Sequence, residues 1–152
     1  MGQKEDLRDE SSLESLEERL HDARMPTPGL VNEAIGAACA LGAAAQTIIR
    51  RMVEAGALTD AMLRLIEVEL PQWRLRRLAC EDAQWYCTLS KQAWLPFGLD
   101  EIVEANHEIL PLAILMALIE ARRVALLRAA STAAVPQIRP AKTYTLSCDN
   151  YA

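Results

Sequence analysis

The sequence predicts an all-α fold, a single-domain helical bundle of about five to six helices. Hydrophobic residues make up 51% of the 152 residues but aromatic residues only 5%, so the core must consist mainly of Leu, Ala, Ile and Val. Such a composition favours helices, and a chain of this length is expected to form one domain. The apolar stretch between Leu30 and Ala55 adds the strongest single indication of a long buried helix.

Residues 1–26 form an acidic segment ahead of the predicted core. Leu13, Leu16 and Leu20 recur there at spacings of three and four residues, which is the pattern of one face of a helix. We therefore predict a short amphipathic helix over about residues 12–24. Its leucine stripe either docks on the core or is available to a partner protein. Docking is the simpler interpretation, because such stripes usually face a core.

The stretch from Leu30 to Ala55 predicts the central helix of the bundle. Thr27 can cap its start, Pro28 suits the first helical position, and Gly56 suits the residue just after its end. Every side chain from residue 34 to residue 45 is apolar or is only a hydrogen. We therefore expect this helix to be buried on all sides.

Two short helices and two long ones are predicted beyond Gly56, over residues 61–70, 71–90, 101–110 and 112–130. The two short–long pairs look alike when the chain is shifted by 40 residues, because Leu70 and Pro71 then coincide with Leu110 and Pro111. The pattern indicates a 40-residue pseudo-repeat of helical hairpins kinked at proline. Since a stable solenoid needs roughly three repeats, a bundle of related hairpins is favoured.

Residues 131–152 lose the helical periodicity, and they contain Pro136 and Pro140. We predict an irregular C-terminal tail with a weak strand signal around Tyr144 and Leu146. The tail is either loose or becomes ordered on a partner. The predicted organisation is thus an acidic segment, a helical core and a tail, over residues 1–26, 27–130 and 131–152.

Charge and hydropathy argue against nucleic acid and against a membrane span. The net charge is −5, whereas binding to phosphate requires a basic face. The longest apolar run, residues 34–45, falls well short of the ~20 residues needed to cross a bilayer. The first residues also lack the apolar region of a signal peptide. We expect a cytoplasmic protein.

Two Glu-x-x-His motifs, Glu18 to His21 and Glu104 to His107, could contribute to a metal site. Paired motifs of this kind build di-iron centres in ferritin-like helical bundles. Counted at about 100° per residue, both motifs fall on the polar faces of their predicted helices. We therefore expect no metal and no other cofactor, and we keep a ferritin-like metal-binding bundle as an alternative.

Catalytic motifs are scarce, so an enzyme is less favoured than a binding protein. The spacing of the four cysteines, at positions 39, 80, 87 and 148, offers no Cys-x-x-Cys pair for zinc. The chain contains neither a Gly-rich phosphate loop nor a Gly-x-Ser-x-Gly elbow. No sequence pattern motivates a catalytic pair of Cys80 or Cys87 with His107.

A basic patch surrounds Trp73, Arg74 and Arg77. In the predicted helix, Arg77 would lie one turn from Trp73, and both residue types are enriched at binding hot spots. A buried Trp flanked by solvated arginines is the simpler interpretation. Residues 47–70 also resemble a helix-turn-helix around Gly56, although the second helix is acidic and would repel phosphate.

The sequence therefore predicts a non-enzymatic protein–protein interaction module: an adaptor, a small chaperone or an assembly component. The expected partner is a protein, and self-association into a homo-oligomer is an alternative. A ferritin-like metal-binding bundle and a helix-turn-helix transcriptional regulator are the competing functions. The candidate protein-binding residues are Leu13, Leu16, Leu20, Trp73, Arg74 and Arg77.

Overall fold

A computed structural model describes residues 3–92, 94–96 and 98–133 of the chain. In these ranges the protein combines five helices with a three-stranded antiparallel sheet, so the predicted all-α bundle is wrong. The elements in chain order are α1 (Gln3–His21), α2 (Pro28–Ala38), α3 (Ala43–Glu54), α4 (Leu58–Glu69), β1 (Arg74–Glu81), β2 (Gln84–Ser90), β3 (Ile102–His107) and α5 (Leu110–Ala133).

The helix predicted over residues 71–90 is instead the hairpin of β1 and β2. Glu81 pairs with Gln84, and the two turn residues between them, Asp82 and Ala83, have φ values of 50° and 61°. Positive φ at both positions is the signature of the type I′ turn that suits the twist of a hairpin. The usual sequence signal is Asn-Gly or Asp-Gly. Here Ala83 stands in the glycine position, which hides the signal.

The short helix predicted over residues 101–110 is also wrong, because β3 occupies most of it. Pro111 lies in the first turn of α5, where the missing N–H of proline has no consequence. Pro71, by contrast, precedes a strand. The two units of the predicted 40-residue repeat therefore have different structures, and the pseudo-repeat is wrong.

The predicted central helix is broken into α2 and α3. Its start is confirmed: Thr27 caps α2 through its hydroxyl, which accepts a hydrogen bond from the Leu30 N–H at 3.4 Å. At the break, the Ala40 N–H donates to the carboxylate of Glu69 at 3.3 Å, and the Ala38 carbonyl accepts from Arg122 at 3.3 Å. These contacts satisfy backbone groups that an unbroken helix would pair internally.

The expectation that this stretch is buried on all sides is wrong as well. Ala34, Ile35 and Ala38 face the core, but Gly36 and Ala44 are exposed. α3 ends at Glu54, and Gly56 follows its C-cap residue as predicted. Gly56 adopts a φ of +79° and lets the Ala57 N–H bond back to the Met52 carbonyl at 2.9 Å. This is a common way to end a helix with a left-handed glycine.

The predicted amphipathic N-terminal helix is confirmed as α1, although it starts earlier and ends at His21. Leu16 and Leu20 are buried in the same core as α2, α4, the sheet and α5, so this helix docks. No helix in the described ranges combines the length and apolarity needed to cross a membrane. Residues 131–133 belong to α5, and the rest of the predicted tail lies outside the described residues.

The strands lie in the order β1–β2–β3, with β2 in the centre. Cys87 and Leu89 of β2 and Val103 of β3 are buried in the core, on the sheet face that α5 covers. α5 runs antiparallel to β3: it starts just after His107, and its residue Arg128 reaches back to Glu101 at 3.0 Å. The two outer strands, β1 and β3, form the edges of the sheet.

Candidate protein-binding edge of the sheet

The outer edges of β1 and β3 pair with no other strand among the described residues. An edge strand presents a row of backbone N–H and C=O groups that can pair with another chain. Natural proteins usually protect such edges with bulges, charged side chains, proline or a covering helix. The two edges of this sheet differ in which of these protections they have.

The edge of β1 is protected by a bulge and by cations. The pairing register with β2 shifts between Leu75 and Arg77, which lie opposite the adjacent β2 residues Leu89 and Thr88. Arg76 contacts Asp100 at 2.7 Å and the Leu95 carbonyl at 3.1 Å, both in the loop between β2 and β3. The bulge twists this edge and ties it to the loop, which makes it a poor template for another strand.

The edge of β3 has neither a bulge nor a basic residue. All six residues of β3 pair in continuous register with β2, from Ile102 opposite Ser90 to His107 opposite Trp85. The strand contains no Lys, Arg or Pro. Its side chains alternate, with Val103 and His107 buried and Glu104 and Asn106 exposed. This edge has a regular register and none of the usual protections against pairing within the strand itself.

A groove of about 460 Å³ runs beside β3. One wall is the strand itself, from Ile102 to Asn106, and the opposite side is formed by α1 and α5. The α5 residues in the groove are four positions apart and therefore share one face of that helix. The residues from the two helices that line the groove are Glu17, Met116, Glu120 and Val124.

His107 holds one end of this groove together. Its Nε2 lies 3.1 Å from the His21 carbonyl at the end of α1, and its Nδ1 accepts the Ile109 N–H at 2.9 Å. The two contacts together require a neutral ring with the proton on Nε2. One buried side chain thereby links β3 to the last turn of α1 and to the start of α5.

Arg123 holds the middle of the groove wall. Its guanidinium lies 2.5 Å from a Glu17 carboxylate oxygen and 2.9 Å from that of Glu120. The hydrogen bond that Arg123 donates to Glu17, and the negative charges of Glu17, Glu120 and Glu14, raise the pKa of Arg123 despite its partial burial. α1 is thus fixed antiparallel to α5 at two points, and the groove is formed before any partner binds.

The structure does not bring the six predicted protein-binding residues to one surface. Leu16 and Leu20 are buried in the core, and Leu13 is half-buried. Trp73 is only 2% exposed and stacks under Lys91, whose Nζ lies 5.4 Å from the ring centre.

Arg74 and Arg77 are exposed on β1. Arg77 pairs with Glu81 of the same strand. The predicted contact between Arg77 and Trp73 depended on a helix. Because residues 74–81 form a strand, this prediction is wrong. A binding role for the six residues stays a prediction, and only Leu13, Arg74 and Arg77 have side chains that are at least partly exposed.

The two Glu-x-x-His motifs do not form a metal site in the described part of the chain, where no group of three or more His, Cys, Asp or Glu side chains is arranged to hold an ion. In β3, residues three positions apart point to opposite faces, so Glu104 and His107 separate. The predicted placement of His107 on a polar face is wrong, since it is 5% exposed. The rings of His21 and His107 nevertheless lie 6.4 Å apart.

The cysteines offer no activated nucleophile among the described residues. Burial raises the pKa of Cys39 to about 12 and that of Cys87 to about 12, so both remain protonated thiols at neutral pH. Cys80 is exposed and lies on the same cross-strand row as His107, with Trp85 of β2 between them. Two strand spacings, about 10 Å, separate them, which is too far for proton transfer.

A helix-turn-helix does form from α3, the turn at Gly56 and α4. Its second helix exposes Asp60 and Glu67, and its basic residue Arg64 is paired with Glu67 at 2.8 Å. This surface has no excess of positive charge to offer to phosphate.

Comparisons of the chain with protein-family models, curated proteins and solved structures gave no match.

Proposed function

We propose that this protein is a non-enzymatic protein–protein interaction module that binds an extended segment of a partner along the outer edge of β3. The observation that carries the proposal is the outer edge of β3, which is regular in register and has no strand partner among the described residues, beside a groove of about 460 Å³. Strand addition is a common mode of peptide recognition, in which main-chain hydrogen bonds provide affinity and groove side chains provide specificity. In the cell this would make the protein an adaptor, a small chaperone or an assembly component.

The rigidity of the groove supports this role. His107 and Arg123 fix α1 against β3 and α5, so little of the binding free energy is lost in ordering the site. The groove offers main-chain pairing on one side and a mixed apolar and acidic wall on the other, with Met116 and Val124 as apolar contacts. Such a wall can distinguish one extended segment from another.

The described side chains support recognition better than catalysis. Both ring nitrogens of His107 are occupied by backbone contacts, and the raised pKa of Cys87 keeps its thiol protonated. A non-enzymatic role, a cytoplasmic location and the lack of a nucleic-acid partner all remain predictions from the sequence. The ferritin-like alternative requires a helical bundle, whereas the described residues combine helices with an antiparallel sheet.

Site-specific cross-linking in living cells tests the proposed edge. A photoreactive p-benzoylphenylalanine replaces Asn106 on β3 in the full chain, expressed in the organism that makes it. The matched control replaces Ala79 on β1, which lies on the same cross-strand row because both residues flank Tyr86 of β2. The two variants therefore sample the two edges at the same height.

We expect ultraviolet light to link Asn106→p-benzoylphenylalanine to a discrete partner protein, and the Ala79 variant to give little of that product. Equal yields from both edges, a product from Ala79 alone, or no product from either position would contradict strand addition at β3. A product whose peptide map places the partner residue in a helix would also contradict it.

A further inference from the structure

The charge around the β3 groove indicates what kind of segment it accepts. Carboxylates approach the groove from α1, from β3 and from α5. Among the described residues, neither the groove nor the adjoining pocket along α1, which shares Glu17 and Met116 with it, is lined by Lys or Arg. Arg24 lines a separate pocket beyond His107. These carboxylates belong to Glu17, Glu18, Asp22, Glu104 and Glu120.

Only part of this negative charge is neutralised within the described residues. Arg123 bridges Glu17 and Glu120 from the side of α5. Glu104 accepts a hydrogen bond from the Thr88 hydroxyl at 3.0 Å but has no ion pair. Glu18 and Asp22, in the pocket next to the groove, have neither an ion pair nor a side-chain hydrogen bond there. Three carboxylates in and next to the groove therefore have no paired cation among the described residues.

The spacing of two of these carboxylates matches that of a strand. Asp22 directly follows α1, and its N–H still bonds to the Glu18 carbonyl at 3.0 Å. The two residues therefore share a face and lie about 6 Å apart along the helix axis. Alternate residues of an extended strand, which point to the same side, are about 6.6 Å apart. Two cationic side chains at alternate positions of a bound strand could therefore each meet one carboxylate.

We propose that the segment bound along β3 is a cationic extended segment of a partner protein, with Lys or Arg at alternate positions facing the carboxylates of α1. This inference rests on the proposed function, because it names the chemistry of the segment bound at the same edge. Main-chain pairing with β3 supplies the register, and the carboxylates select the charge. When no segment is bound, Arg123 compensates the negative charges of Glu17 and Glu120.

Synthetic peptides added to the full chain test the charge and the strand pairing separately. The probe is a capped nonapeptide of alternating Lys and Val. One comparison peptide has Glu in place of Lys, and another keeps every Lys but has all backbone amides N-methylated. Binding is measured by calorimetry at low salt and at physiological salt.

We expect the Lys–Val peptide to bind and the Glu–Val peptide to bind at least about tenfold more weakly, because like charges would meet in the groove. The N-methylated peptide should also lose about tenfold or more, since it cannot pair with the strand edge. The affinity for Lys–Val should fall between the two salt concentrations. Equal binding of the Glu–Val or the N-methylated peptide would overturn the proposal.

A double variant locates the charge effect on the protein. Glu18→Gln with Asp22→Asn should weaken Lys–Val binding by about fivefold or more, as two exposed attractive contacts are lost. The matched control, Glu54→Gln with Asp60→Asn, removes the same charge from exposed positions on α3 and α4 and should change affinity by less than about twofold. Equal losses in both double variants would show non-specific attraction and would overturn the proposal.

The cross-link from Asn106 separates this inference from the function on which it rests. A cross-linked partner segment without alternating basic residues would overturn the charge proposal but leave strand addition at β3 intact. Failure of the cross-link itself would remove the proposed function, whatever the peptides do.

Discussion

The two edge strands of the sheet, β1 and β3, pair with the same central strand but differ in how their outer edges are protected. β1 has a bulge and three arginines, and Arg76 ties it to the loop that ends at Asp100. β3 pairs in continuous register, carries no basic residue and borders a groove. The same sheet therefore has a protected edge at β1 and an unprotected edge at β3, with only β2 between them. From this difference we propose a structural role for the β1 edge and a role in recognition for the β3 edge.

The largest effect is expected for Trp73, the residue just before β1, and its substitution tests whether this end of the strand stabilises the fold. Trp73→Ala should lower the free energy of unfolding by about 3–5 kcal/mol, because it removes a buried aromatic side chain. Urea denaturation measures this, with the exposed Arg74→Ala as control, for which the change should stay within about 0.5 kcal/mol. If the Trp73→Ala protein keeps its normal stability but no longer binds its partner, β1 is a binding edge. That result would contradict the structural role of β1.

A cross-strand row allows the two edges to be compared residue by residue. His107→Ala on β3 should cost about 2–3 kcal/mol, because two hydrogen bonds and a buried ring are lost. Cys80→Ala, on the same row of β1 and exposed, should cost less than about 0.5 kcal/mol.

Amide exchange in α1 should accelerate in the His107→Ala protein alone, since this residue anchors the end of that helix. If the two variants unfold at the same urea concentration, or if α1 stays protected in both, His107 does not hold the groove wall.

The hairpin turn provides a stabilising change. Ala83 has a φ of 61°. This left-handed conformation costs about 1–2 kcal/mol of conformational energy for residues other than Gly, Asn and Asp. Ala83→Gly should therefore raise the free energy of unfolding by about 1 kcal/mol, partly offset by the greater freedom of glycine in the unfolded chain. Ala79→Gly, inside β1, should be destabilising by about 0.5–1 kcal/mol. A melting temperature lowered by Ala83→Gly would contradict the two-residue turn.

The smallest effect concerns the loop contact that protects β1. Burial alone would raise the pKa of Asp100, but hydrogen bonds from its neighbours, including the Gln92 N–H and Arg76, lower it below its ordinary value of 3.8. The ionised carboxylate therefore stabilises the fold above a pH of about 4, and this contribution is lost as the pH falls through the lower folded-state pKa. Thermal melts of Asp100→Asn and the unchanged protein should differ near neutral pH and converge toward pH of about 2. A constant difference across this range would exclude the contact.

The sequence predicted the features that depend on neighbouring residues. The cap at Thr27, the left-handed Gly56 and the leucine stripe of α1 follow local rules, and the structure confirms them. The break between α2 and α3 could not be predicted in this way, because Glu69 and Arg122 bond to its backbone from distant positions in the chain. Tertiary contacts of this kind override helix propensity.

The strands were missed for two different reasons. In the hairpin, Ala83 replaces the glycine that would have indicated the turn. In β3, the alternation of Val103 and Ala105 with Glu104 and Asn106 was a readable strand signal, but the likeness of Leu110–Pro111 to Leu70–Pro71 favoured a helical repeat. The groove itself could not be predicted, since it exists only where α1, β3 and α5 meet.

The central claim is that β3 is the edge that pairs with a partner. The most direct test is residue-resolved amide exchange by NMR on the full chain, with and without the partner segment identified by the Asn106 cross-link and synthesised as a free peptide. Alternate amides of β3 should exchange at least about tenfold more slowly in the complex, because each outward-facing N–H gains a main-chain acceptor, while β1 amides stay unchanged. Slower exchange in β1 with no change in β3 would contradict the account.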